Sequence, residues 1–307
     1  MNLRGQKKIV LTISLLVACY AHLFAQQDPL STQYLNNYFL INPAYAGLTK
    51  DINLSIGYRT QWAGISGSPV TYNATGHISV RENKVGIGFS ALQDKIGADR
   101  TTEFNAAYSY RLPLSDGAEL SFGVQGGVIN YQTDYSDLQI NPNDLKFQGI
   151  SEFKANFGAG VLVRSESFLF SVAVPHLLPA SNKIDSLSTR LYAQNLYIFG
   201  GYILPVSYRV KLKPSILLRA VKDAAVSVDY ALAFKVDDSY SLGVITRNFS
   251  TLGFQAIFSV GDAFRLGYTF EMPLNSSTGL NFSSHEMFFG MRIKALKYHN
   301  IEEIKSY

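Results

Sequence analysis

The sequence predicts an all-β protein, a transmembrane antiparallel barrel of about fourteen strands. Three observations lead there: composition, sustained two-residue alternation, and connections whose lengths sort by position. Of 307 residues, 13% are aromatic, with 20 Phe and 19 Tyr, and only 16% are charged, against roughly 25% in an ordinary soluble domain. Twenty-four Gly and four Met do not suit a helical bundle. A mean hydropathy of +0.05 argues against a multi-span helical membrane protein, because each helical span needs about 20 largely apolar residues. The same composition is too apolar for a disordered chain.

Residues 1–25 read as a secretory signal peptide. Arg4, Lys7 and Lys8 form the basic start, Ile9 to Ala18 the apolar stretch, and Leu23-Phe24-Ala25 a cleavage site before Gln26. Leu16-Val17-Ala18-Cys19 resembles a lipoprotein box, but Tyr20 and the apolar run on to Phe24 favour cleavage after Ala25. Without the signal, 24 basic residues face 23 acidic ones, so the mature chain is nearly neutral and gives no case for a nucleic-acid partner. Cys19 is the only cysteine, which leaves the mature chain no thiol chemistry.

Alternation then runs down the chain. Leu252, Phe254, Ala256, Phe258 and Val260 oppose Thr251, Gly253, Gln255 and Ser259; Phe264, Leu266, Tyr268, Phe270 and Met272 oppose Arg265, Gly267, Thr269 and Glu271. The same pattern predicts strands over 53–61, 70–80, 84–93, 101–112, 118–132, 153–164, 167–174, 191–203, 209–220, 223–235, 239–247, 250–260, 263–272 and 284–294. Most have the length of a tilted membrane-spanning strand. Turns after even-numbered strands are short, as at 82–83, 165–166 and 261–262, whereas 62–69, 94–100, 133–152, 175–190 and 273–283 are longer. Outer-membrane barrels have this asymmetry, with short turns in the periplasm. In hydrocarbon each unpaired backbone group costs several kcal/mol, so the strands must close on themselves and present an apolar face to membrane lipids. Tyr58, Tyr72, Tyr110, Tyr131, Tyr202, Tyr230 and Tyr268 are candidates for the interfacial girdles.

The expected organisation is a signal at 1–25, a periplasmic or lumen segment at 26–52, a barrel at 53–294 and a polar periplasmic tail at 295–307. Residues 26–52 do not alternate. They contain Gln27-Asp28-Pro29, Thr32-Gln33-Tyr34, Asn36 and Ile41-Asn42-Pro43-Ala44-Tyr45-Ala46-Gly47; then follow Arg59, Gln61-Trp62-Ala63-Gly64 and Gly67-Ser68-Pro69. This string resembles the PorP/SprF family, outer-membrane components of the type IX secretion and gliding apparatus of Bacteroidetes. The resemblance implies a barrel that works with periplasmic secretion components and peptidoglycan-binding outer-membrane proteins to export or anchor a secreted surface protein. The motif makes Gln33, Tyr34, Asn36, Asn42, Pro43, Ala44, Tyr45, Gly47, Arg59, Gln61 and Trp62 candidate partner-binding or plug residues. From the residues alone, Asn42 to Gly47 is a rigid turn, with Asn before Pro and Gly47 free to take positive φ. It either leads into the first strand, fills the lumen or docks a partner. Trp62 reads as a girdle residue.

Inward positions lean basic: Arg59, Arg111, Lys154, Arg164, Lys211, Lys213, Arg219, Lys235, Arg247, Arg265, Arg292 and Lys294 against Glu103, Asp229, Glu271 and Glu286. Such charges either pair across strands or steer an anionic solute. Nothing implies a cofactor or an enzyme. Gly86-Ile87-Gly88 imitates a dinucleotide loop but sits inside a strand, and Ser284, His285 and Glu286 are neighbours that point to opposite faces. Asp134, Asp137 and Asp144 lack Ca²⁺-loop spacing. The alternative function is a transporter of small hydrophobic molecules resembling FadL, which carries an Asn-Pro-Ala segment in its N-terminal hatch.

Overall fold

The computed structural model describes residues 31–294 except 82, 115–116, 135–148, 179, 185–186, 193, 222–223 and 275–281. The expected signal peptide, Gln27–Pro29, Asp137, Asp144 and the 295–307 tail therefore lie outside the described residues. The strands are β1 (Ile52–Thr60), β2 (Val70–Val80), β3 (Val85–Ile96), β4 (Asp99–Pro113), β5 (Glu119–Thr133), β6 (Ile150–Arg164), β7 (Phe168–Val174), β8 (Ala180–Ile184), β9 (Leu187–Tyr192), β10 (Asn195–Tyr202), β11 (Leu204–Pro205), β12 (Val210–Val221), β13 (Ser227–Val236), β14 (Tyr240–Arg247), β15 (Thr251–Val260), β16 (Phe264–Pro273) and β17 (Ser284–Ile293).

Fourteen of these form a closed antiparallel barrel: β1–β7, β10 and β12–β17. Each pairs with the next in the chain, β10 pairs with β12, and β1 closes on β17 from Ile52↔Ile293 to Thr60↔His285. Closure satisfies the backbone groups that an open edge would leave to the hydrocarbon. The outer face is apolar and exposed, with Ile56, Phe89, Phe104, Phe254 and Leu266 among its residues. Tyr72, Tyr110, Tyr202, Tyr230 and Tyr268 stand on it too, and Tyr58 packs on Tyr72 at 5.2 Å between ring centroids. Tyr131 does not: it shares the inward parity of Ile129 and Thr133.

All fourteen expected strands are present, and two connections and one strand start differ from expectation. The 94–100 loop is largely strand, because the β3–β4 ladder continues to Ile96↔Asp99 and turns at Gly97, whose φ is +58°. The long 175–190 connection contains the β8–β9 hairpin, a separate two-stranded sheet. That hairpin takes 191–192, so the barrel strand begins at Asn195 rather than 191. The 61–69, 134–149, 175–194 and 274–283 connections share one end of the barrel, the loop end. The opposite, turn end carries tight turns such as Asp237-Asp238, both at positive φ, the conformation whose twist suits a hairpin.

Candidate functional site

Residues 31–51 lie inside the barrel. They contain no strand but three 3₁₀ turns, Thr32–Leu35, Tyr38–Leu40 and Pro43–Tyr45. The segment starts at the loop end, descends through the lumen and reaches the turn end, where β1 begins.

At the loop end the backbone N–H of Thr32 donates to Glu286 Oε2 at 2.9 Å, and the Thr32 hydroxyl donates to Glu271. Arg59 binds both carboxylates, Glu271 at 2.6 Å and Glu286 at 3.1 Å. The Gln33 amide donates to Thr269 Oγ1 at 3.0 Å and accepts from Asn36. Tyr34 is buried against Phe199 and bonds Asp229, which Arg247 holds at 2.8 Å. A second polar node sits nearby, where Glu103 receives Asn156 at 3.0 Å and meets His176 at 3.1 Å.

At mid-depth the Asn37 amide reaches Ser55 and Thr75, each at 2.7 Å. Tyr38 packs on Phe199 at 4.7 Å and on Tyr45 at 5.5 Å between centroids. Leu162, Leu169, Leu217 and Ile245 complete an apolar cluster inside the barrel.

Toward the turn end, Asn42 caps the third 3₁₀ turn by accepting from Ala44 N at 2.9 Å, with Pro43 in the first position. Its amide also donates to the Val161 carbonyl at 3.2 Å. The carbonyls of Ala44 and Ala46 accept from Ser121 and Ser109, both at 2.7 Å. The wall here is cut away to admit this backbone. A Cβ on Gly123 would overlap Ala44, one on Gly86 would overlap Ala46, one on Gly160 would overlap the Asn42 amide, and one on Gly88 would come within 2.5 Å of Phe39. Gly47 follows at φ +60°, where a Cβ would meet the Ile78 carbonyl at 2.5 Å, and its N–H donates to His77 Nδ1 at 3.2 Å.

The structure thus brings together every motif residue named from sequence except Gln61 and Trp62. Gln61 opens the 61–69 loop, its N–H on the Pro69 carbonyl at 2.9 Å, and Trp62 is exposed at φ +51°. Sequence reasoning missed Thr32, Asn37 and Phe39, and took Gly86 and Gly88 only as strand glycines. One signal was available: β7 and β10, Phe-Leu-Phe-Ser-Val-Ala-Val and Asn-Leu-Tyr-Ile-Phe-Gly-Gly-Tyr, are apolar on both faces, which marks a strand covered on both sides. Among the described residues no group of three or more His, Cys, Asp or Glu is placed to hold a metal ion.

A closed fourteen-stranded barrel with an apolar outer belt and a polar, occupied interior defines an outer-membrane β-barrel protein. The family described as type IX secretion system membrane protein PorP/SprF matches residues 23–291, and the chain belongs to it. No curated protein matches the chain. Among solved structures, a deletion mutant of the TodX monoaromatic hydrocarbon channel is similar with a TM-score of 0.53 at 8% identity, over 85% of this chain and 94% of that one. Omp33 of Acinetobacter baumannii is similar with a TM-score of 0.45 at 10% identity, over 80% of this chain and 100% of that one. At such identities the TodX likeness speaks for the barrel fold alone.

Proposed function

We propose that the protein is a non-catalytic component of the type IX secretion and gliding machinery that helps to translocate or anchor secreted surface proteins. Family membership over 23–291 carries this reading. The lumen supports it, since a barrel filled by its own residues 31–48, nearly all buried, suits a scaffold better than an open pore. The alternative of a FadL-like transporter, which also carries an N-terminal hatch, is not better supported, because the family match names secretion. In this reading the loop end faces the cell surface and meets the client, and the turn end faces periplasmic secretion components and peptidoglycan-binding outer-membrane proteins.

The test is affinity isolation of the tagged barrel from membranes, paired with the surface proteome of a deletion strain. Retention of periplasmic and peptidoglycan-binding partners, with loss of surface proteins on deletion, is the expected result. An unchanged surface proteome and no retained partner would overturn the reading.

A further inference from the structure

On the arc of the inner wall from β12 to β17 the carboxylates keep to one end, whereas on the other wall Glu119 answers Arg164 at 2.8 Å at the turn end. Glu103, Asp229, Glu271 and Glu286 all lie in the loop half, where they engage His176, Arg247 and Arg59. In the turn half, the wall from β12 to β17 carries Lys211, Lys213, Lys235, Arg265 and Arg292, and no acidic strand residue faces the lumen along that arc among the described residues. Rim carboxylates answer part of this charge: Asp238 contacts Lys211 at 3.1 Å and Lys235 at 2.9 Å, and Asp51 reaches Arg292 at 3.8 Å. Lys211 and Lys235 are direct cross-strand partners, an arrangement of like charges that destabilises a sheet. The Arg265 guanidinium lies over the Phe288 ring at 5.6 Å.

Small residues accompany the charge. The segment's Ala44 and Ala46 are seated on the opposite wall, against Gly86 and Gly123. Around the basic arc several inner positions are small, among them Ala233, Ser241 and Gly243, while Phe288 packs over Gly267 and Gly290. Although they face inward, the side chains of Lys211, Lys235 and Arg292, close to the rim, are 32%, 29% and 38% exposed, so solvent reaches the cations at the turn-end mouth. The cations come from four strands of a six-strand arc, β12, β13, β16 and β17, so they present several separate charges to one ligand.

We propose that this turn-end vestibule binds an acidic polypeptide segment, several carboxylates on an extended backbone, presented by a partner. The proposal rests on the reading that partners approach the turn end, and it names the chemistry that recognises them. Opposed cations raise the local concentration of such a segment and release their mutual repulsion when it binds.

The experiment uses the purified full-length barrel in detergent and a fluorescent hexaglutamate peptide, with hexaglutamine as the neutral control and anisotropy as the readout. Hexaglutamate is expected to bind, to weaken as salt is raised, and to bind about tenfold or more weakly to the Lys211→Gln, Lys235→Gln double variant. Lys154→Gln, in the loop half, should change nothing. Arg265→Gln supplies an independent loss should the double variant fail to fold as a heat-modifiable barrel. Equal binding of hexaglutamine, or unchanged affinity in the folded variants, would overturn the proposal. Full displacement by inorganic phosphate would overturn it in favour of a small-anion site. Because the measurement involves no secretion, its failure leaves the role in secretion standing, and a failure of that role leaves the binding result intact.

Discussion

Arg59 sets one positive charge between two carboxylates, Glu271 and Glu286, with its side chain and that of Glu286 almost fully enclosed. Removing one partner of such a group leaves charge buried without compensation, so Arg59→Ala is expected to cost about 3–5 kcal/mol, read as a lower urea midpoint for the barrel in lipid vesicles. Gly123 works by absence. A methyl group there overlaps Ala44, and Gly123→Ala should cost about 1–3 kcal/mol through overpacking. The expected sign is a heat-modifiable barrel whose 31–48 segment has become open to protease; a segment as resistant as in the wild type would count against the seat. Asn42→Ala removes both the cap on Ala44 and the bond to Val161, and combined with Tyr45→Ala it should loosen the same segment and reduce partner recovery while the barrel persists. Arg59 and Asn42 could be singled out from the motif, but what they touch could not. Glu271 and Glu286 are more than 200 positions away in the chain, and only the β1–β17 closure brings them to Arg59.

Strands were the most legible elements because each records its two environments in alternate residues, as β15 does with Phe254 and Ala256 outward and Gly253 and Gln255 inward. Phe254, central in β15 and opposite Phe270 of β16, should therefore tolerate Arg poorly, at about 2–4 kcal/mol, whereas Val260 at the end of the strand should lose about 0–1 kcal/mol. Insertion assays that found the two equal would contradict this placement in the bilayer. Less regular elements left weaker traces. The three 3₁₀ turns of residues 32–45 have no periodicity of their own, since their backbone and side chains, with those of the capping Asn37 and Asn42, meet walls in several directions: Glu286, Ser55, Thr75, Val161 and Ser121. Likewise the β8–β9 hairpin stands apart from the barrel sheet and reads as loop.

For the whole molecule, the parity of the connections fixes which mouth carries the long loops. Since Cys19 is the chain's only cysteine, single cysteines at Ser68 and Ser207 give a clean test of orientation. An impermeant thiol reagent on intact cells should label the first, in the 61–69 loop, and spare the second, at a tight turn; the opposite pattern would invert the topology. Occupancy of the lumen has an electrical counterpart. The full-length barrel in a planar bilayer should pass little steady current, and deletion of 32–46 should raise it. The path of the interior segment also bears on closure of the cylinder. β1 follows that segment directly, and the seam that closes the cylinder joins this first strand to the last, β17. Glu286 belongs to β17 and holds Thr32, so the contact that completes the wall is also the one that grips the head of the enclosed chain. A cylinder closed without that segment in place would leave Glu286 on its last strand, and Glu271 on the strand before it, without the backbone and hydroxyl donors of Thr32.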